Sequence, residues 1–237
     1  MTLPVPLYIP NLLGYLRIAL ALIGLGLSSN APVTALWIWL IAAFLDLIDG
    51  MLARKLNQTS TLGIFLDIAA DNILRTSVWI AAIISSINTT DNTTTNDDDD
   101  SLNSSMALVV ACCIISLEWF TMVCTQLHAA QFEKHWKSER QHDPWLVQQV
   151  FKNGFKAPFG ILTMYGLFSV QMWLYGRNHP SLRDPIPLFD VWMYLAILGR
   201  MLGLCVEFWL CWSFLRLIVE RDTEAKRNPP STAKKGE

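Results

Sequence analysis

Residues 44–72 read FLDLIDGMLARKLNQTSTLGIFLDIAADN and place four carboxylates, Asp46, Asp49, Asp67 and Asp71, in a chain that otherwise suits lipid. Burying a charge in hydrocarbon is costly, so ionisable residues inside membrane segments mark functional sites by default. On a helix, Asp46 and Asp49 share a face, and Gly50 and Ala53 continue that face with little side-chain bulk. Gly63, Asp67 and Asp71 form a second stripe at four-residue spacing. The polar stretch NQTST (57–61) reads as a short turn. Two helices joined by it run antiparallel and can bring their stripes together.

Outward from this stretch, the chain has 237 residues, 52% hydrophobic and only 16% charged. That composition excludes an ordinary soluble domain, which carries more charge and lacks several bilayer-length apolar runs. Six such runs stand out, at 11–28, 33–54, 62–87, 106–131, 147–175 and 187–219. They are long and rich in Leu, Ala and Ile without period-two alternation, which predicts helices. The expectation is an all-α integral membrane bundle of about six transmembrane helices, one domain over 1–219, followed by a basic tail at 220–237. No internal repeat is visible. Residues 1–10 lack a basic n-region and a cleavage site, so the first span is expected to act as the targeting segment. The cysteines, at 112, 113, 124, 205 and 211, lie in apolar runs without metal spacing and read as packing residues. A net charge of −2 without a basic-aromatic pattern gives no sign of nucleic-acid binding.

Positive charge sets sidedness. Arg54 and Lys55, then Lys134, Lys137 and Arg140, then the tail all fall on one side of a six-span chain, assigned to the cytosol. The opposite side receives the uncharged loop at 28–32 and the polar stretch NTTDNTTTNDDDDSLNSS (88–105), expected to be disordered. That stretch holds three N-glycosylation sequons, at Asn88, Asn92 and Asn103, against a bland reading in which an Asn/Thr/Ser-rich loop generates them by chance, and its Asp97–Asp100 run reads as a solvated linker rather than a weak calcium site. The chain ends KKGE, matching a di-lysine retrieval signal for the endoplasmic reticulum on a cytosolic tail. The expected address is therefore a multi-pass protein of the endoplasmic reticulum or Golgi, with the aspartates and C-terminus cytosolic.

Four adjacent carboxylates repel one another, and divalent cations offer relief. Hard Mg²⁺ or Mn²⁺ takes oxygen ligands, often a few carboxylates plus substrate phosphate. A pair of ions can clamp both ends of a phosphoryl displacement. Arg54, at the end of its helix, is placed to meet a phosphate. His128, His135 and His142 are too widely spaced for a rival metal stripe. A proton relay, an ion pathway and structural ion pairing remain open readings of the same spacing.

The pattern Asp46-x2-Asp49-Gly50-x2-Ala53-Arg54-x8-Gly63-x3-Asp67-x3-Asp71 resembles the signature of the class I CDP-alcohol phosphatidyltransferase family at every fixed position. The resemblance implies that family's fold and a reaction in which an alcohol attacks the lipid-bearing phosphate of a CDP-linked lipid and CMP leaves. It implies metal binding by Asp46, Asp49 and Asp67, with Asp71 as a further ligand or the general base. It also implies that Gly50, Ala53, Arg54 and Gly63 frame the CDP moiety, and it favours a site role for Arg17, at the carboxylates or the diphosphate, over snorkelling to the cytosolic interface. Two ions and a homodimer follow from the same likeness.

PNLLGYLRI (10–18) and LNQTSTLG (56–63) are similar to the eukaryotic phosphatidylinositol synthase branch, with weaker echoes in SLEWF (116–120) and QLHAA (126–130). The substrates so implied are CDP-diacylglycerol and myo-inositol in a lipid membrane. The chain departs from the branch at Asn72, where Arg is typical, and in FKNGFKAPFG (151–160), where Lys156 stands near an expected Arg. Lys152, Lys156 and Asn72 are accordingly the candidates for the acceptor alcohol, Lys152 and Lys156 competing with a reading as interface anchors. Glycerol 3-phosphate, serine, and choline or ethanolamine phosphotransfer are the alternatives within the family. A non-catalytic ion-pathway protein is the alternative outside it. Glu118 and Glu207 are expected to face the bundle, paired with Arg75 or Arg200 in an unassigned order.

Overall fold

The computed structural model describes residues 4–92, 98–132 and 143–227. A 3-10 turn at Val5–Leu7 leads into α1 (Ile9–Leu27), α2 (Pro32–Lys55), α3 (Thr61–Asn92) and α4 (Asp98–Phe132). Then come α5 (Trp145–Phe151), α6 (Pro158–Arg177), α7 (Pro180–Arg183) and α8 (Phe189–Arg227). No strand occurs among the described residues.

The turn between α2 and α3 forms for local reasons. Asn57 adopts a left-handed conformation, with φ of 53°, which ends α2. The Gln58 N–H reaches back to the Ala53 carbonyl at 3.0 Å. Ser60 then caps α3, its Oγ accepting from the Gly63 N–H at 3.0 Å. Gln58 also ties in α1, its Oε1 accepting from the Ile9 N–H at 3.0 Å.

α1 packs on α2 and α3, α3 on α4 and α6, and α8 on α4 and α6. Small residues permit these approaches, as van der Waals packing in lipid requires. A Cβ on Gly166 would lie 2.1 Å from the Arg200 backbone nitrogen, and one on Gly199 would lie 2.0 Å from the Leu162 carbonyl oxygen. The α6–α8 crossing therefore depends on both glycines. Trp39 fills the junction of α1, α2 and α6: its Nε1 donates to the Ala21 carbonyl at 3.1 Å. Its ring also meets Tyr175 edge-on at 5.2 Å. Such an aromatic pair contributes about 0.5–1.5 kcal/mol beyond area burial.

Polarity is distributed inside out. Trp37, Phe44, Leu47 and Tyr194 are each more than 60% exposed, whereas Asn11, Arg17, Glu118, Gln171 and Arg200 are buried. Water would not tolerate so much outward apolar surface, but hydrocarbon does. The chain is a multi-pass membrane protein. Among the described residues, five helices have the length and apolarity to cross, those containing Ile9–Leu27, Pro32–Lys55, Thr61–Thr89, Ser105–His128 and Phe189–Glu224.

Three expectations need correction. The fifth expected span is not one helix: it breaks into α5 and α6 at residues 152–157, where Asn153, Gly154 and Phe155 all take positive φ. Pro158 then opens α6, since it cannot sit inside a helix without losing a hydrogen bond. The polar stretch at 88–105 is largely helical, with 93–97 outside the described residues: α3 runs on to Asn92 and α4 starts at Asp98. Thr89 sustains that extension by donating from Oγ1 to the Ser85 carbonyl at 2.8 Å. Finally, α8 continues past residue 219 to Arg227 without a break. The KKGE end, His135, His142 and the basic stretch from 133 lie outside the described residues.

Candidate active site

α1, α2 and α3 build the site, and Arg17 is at its centre. This side chain is 1% exposed, and all four aspartates turn to it. Its Nη1 lies 2.8 Å from Asp46 Oδ1, 3.0 Å from Asp49 Oδ2 and 3.0 Å from Asp67 Oδ1. Nη2 pairs with Asp71. Planarity makes the guanidinium suited to this, since it presents several donors in a fixed fork. Of its two expected partners, carboxylate or diphosphate, Arg17 holds the carboxylates.

Charge does not balance. Four carboxylates face one guanidinium, which leaves three negative charges unmatched within hydrogen-bonding reach. Asp46, Asp49 and Asp67 each present an oxygen within 4.8 Å of the others. An all-oxygen, acidic donor set of this kind fits a hard divalent cation such as Mg²⁺ or Mn²⁺.

Beside the cluster is a cavity of about 240 Å³ whose wall includes Asp49, Asp67, Gly50, Ala53, Arg54 and Gly63. A Cβ on Gly50 would meet nothing closer than the Arg54 guanidinium at 3.8 Å, so that face of α2 is open to the cavity. Gly63 differs: a Cβ there would lie 2.9 Å from Asn11 Oδ1. Arg54 is exposed at the edge, and the last turn of α2 carries Arg54 and Lys55, where the helix dipole favours cations.

Asn11 was not singled out from sequence as a site residue. It is 1% exposed and lines the cavity. Its Nδ2 donates to the Val5 carbonyl at 2.6 Å, while its Oδ1 has no hydrogen-bond partner. A buried acceptor left unmatched beside a cavity suits a donor on a bound ligand. The signal was present in PNLLGYLRI, as the polar member of an apolar run.

The remaining candidates sit elsewhere. Lys152 and Lys156 are exposed and lie in the turn between α5 and α6, so their four-residue spacing does not form a helical stripe. Asn72 is 2% exposed and faces α4, donating from Nδ2 to Met122 Sδ at 3.1 Å and accepting from Arg75. Behind it, the pairings of Glu118 and Glu207 resolve. Arg75 Nε lies 3.2 Å from Glu118 Oε2, and Arg200 Nη2 lies 3.1 Å from Glu118 Oε1 and 3.0 Å from Glu207 Oε2. α3, α4 and α8 are thereby linked by a buried chain of two arginines and two glutamates that starts one helical turn beyond Asp71.

Fold and cluster together define an all-helical membrane protein with an intramembrane carboxylate site on adjoining helices. The family model described as CDP-alcohol phosphatidyltransferase matches residues 7–175, and the chain belongs to that family. A Candida albicans protein named CDP-diacylglycerol–inositol 3-phosphatidyltransferase is 46% identical over 72 residues, covering 30% of this chain and 31% of that one. Proteins of the same name from Saccharomyces cerevisiae and Homo sapiens are 41% identical over 64 residues and 42% identical over 65. Those two matches cover 27% of this chain, and 29% and 30% of the relatives. The matched part thus spans about a third of each relative's length. No solved structure matches the chain.

Proposed function

We propose that the chain transfers a phosphatidyl group from CDP-diacylglycerol to myo-inositol, giving phosphatidylinositol and CMP. The observation that carries this reading is spatial. Four aspartates from α2 and α3 converge on one wall, and Gly50, Ala53, Arg54 and Gly63 line the adjoining cavity. The names of the relatives support inositol as the acceptor.

In this reaction an inositol hydroxyl oxygen bonds to the phosphorus bearing the diacylglycerol. The bond from that phosphorus to the bridging oxygen breaks, and CMP leaves with the electron pair. Asp71 takes the hydroxyl proton, a role that requires a carboxylate within hydrogen-bonding reach of the attacking group. Asp46, Asp49 and Asp67 would hold Mg²⁺ or Mn²⁺, in a two-ion arrangement with Asp71 as the further ligand. Such ions stabilise charge on the transferring phosphate. Arg54 meets the diphosphate at the cavity edge, and Gly50 and Ala53 keep the wall low enough for the nucleotide. Arg17 holds the carboxylates in register from behind. Lys152 and Lys156, on an exposed turn, are assigned to the approach of the polar acceptor. A single membrane domain through α8, its cytosolic site and tail, an endoplasmic reticulum or Golgi address, and a homodimer complete the proposal.

Release of CMP by the purified protein in detergent, with CDP-diacylglycerol, Mn²⁺ or Mg²⁺, and one alcohol at a time, tests it. Inositol alone should drive release and enter lipid. Activity with glycerol 3-phosphate or serine instead would overturn the acceptor. Silence with every alcohol, and with CDP-choline plus diacylglycerol, would overturn the transferase.

A further inference from the structure

A second cavity, about 610 Å³, opens at the other end of the bundle from the aspartates. Along α3 its lining begins at Trp79 and ends at Thr89. At 1.5 Å per residue, those positions lie about 12 Å and 27 Å beyond Asp71. Most of the lining is apolar, from residues such as Ile83, Ile114, Val170 and Leu204. Two lining residues, Val110 and Met201, are 52% and 60% exposed, so the cavity opens sideways between α4 and α8 onto the lipid-facing surface.

Both ends of this cavity carry an arginine. Arg177, with Asn178, stands at its mouth where α6 ends. It is exposed and makes no ion pair among the described residues. Arg200 forms the floor, 2% exposed, with its Nε lacking a hydrogen-bond partner. Arg200 lies eleven residues into α8 from Phe189. That is about 16 Å, half the thickness of a ~30 Å hydrocarbon core. The cavity therefore has the depth of one leaflet, apolar walls, a lateral opening and an unmatched cation at the interface.

We propose that this cavity binds one anionic phospholipid from the leaflet opposite the aspartates, one acyl chain inside and the phosphate on Arg177. A polar solute is disfavoured by the walls, because its groups would lose water without finding partners. A phosphate at Arg177 gains a charge-assisted, bidentate contact at the headgroup level. The end of the chain covers Arg200 and keeps water from the Glu118 and Glu207 ion pairs. The proposal is independent of the reaction described above.

The full chain, purified from nanodiscs of phosphatidylcholine doped with dioleoylphosphatidylglycerol, provides the test. Native mass spectrometry should show one phosphatidylglycerol retained per chain in preference to phosphatidylcholine. Arg177→Gln, at an exposed position, should lower that preference about fivefold, as expected for one interfacial cation, with the melting temperature unchanged. Phosphatidylglycerol carrying a diazirine at the end of one chain should label residues near Ile114 and Leu204. Equal retention of both lipids, or an unchanged preference in Arg177→Gln, would overturn the proposal. So would adducts confined to the outer faces, or a second copy of the chain crosslinked into the cavity.

Discussion

Arg17 and Asp49 meet at 3.0 Å in the bundle interior although 32 residues separate them in the chain. The same guanidinium also serves Asp46, Asp67 and Asp71, so one side chain on α1 fixes the relative position of α2 and α3.

Arg17→Gln should make stability depend on divalent cations. Removing one partner of a buried ion pair costs about 3–5 kcal/mol. The cost here should fall below that range, because Asp46 and Asp67 are 36% and 48% exposed and solvent screens them. Thermal unfolding in detergent should show a lowered midpoint in EDTA, recovered in part by Mn²⁺. An unchanged midpoint in EDTA would show that the four carboxylates need no counter-charge.

Asp71→Asn should reduce CMP release by roughly 10²–10⁴-fold, the usual contribution of a positioned general base. The neutral amide still accepts from Arg17, so the fold should persist. Near-normal turnover by the correctly folded variant would remove Asp71 from the base role.

Gly50→Ala and Gly166→Ala should behave oppositely. At Gly50 the new methyl meets only Arg54, at 3.8 Å, and alanine favours a helix by about 1 kcal/mol. The melting temperature should hold or rise, while the KM for CDP-diacylglycerol increases. At Gly166 the methyl would stand 2.1 Å from backbone, so α6 and α8 must separate and the protein should be lost in detergent. An unaltered KM in Gly50→Ala would place the nucleotide elsewhere.

Glu118→Ala should destabilise strongly, since it strips Arg75 and Arg200 of a shared buried partner. The expected loss is about 3–5 kcal/mol. Adding Arg75→Met should restore part of it, by removing the stranded charge, since Arg200 keeps Glu207. Double-mutant unfolding measures this, and simple additivity would show that the two groups are uncoupled.

His179 gives a pH dependence. Burial holds its imidazole below the ordinary range, and its Nε2 lies 3.0 Å from Ser85 Oγ. The unfolded chain therefore binds this proton first as pH falls. Stability from His179 is present above the unfolded pKa and is lost as pH drops through the folded value. Melting temperature should decline on acidification below about pH 6.5, the ordinary histidine pKa, and His179→Asn should flatten that decline.

The aspartate stripes were legible because helical periodicity places residues three and four apart on one face, and a short polar turn leaves two helices few ways to pack. Asp46, Asp49, Asp67 and Asp71 follow from those rules alone. Arg75 and Arg200 were legible as partners of Glu118 and Glu207, but the individual pairings were not. They depend on where α8 lies against α6, which Gly166 and Gly199 decide at a distance in sequence. The α5–α6 break had a local signal, Asn153-Gly154 followed by Pro158, which the apolar flanks outweighed. Asn11 gave least, because a single amide near a helix start is common and only its neighbours show the unmatched oxygen.

Arg17 also bears on biogenesis. A newly inserted chain carries, in its first helix, the counter-ion for carboxylates synthesised 29 to 54 residues later. Helices two and three can then dock as they leave the insertion machinery, before any metal is captured. Under the proposed reaction, maturation separates into two stages, assembly under a built-in cation and arming by exchangeable ones.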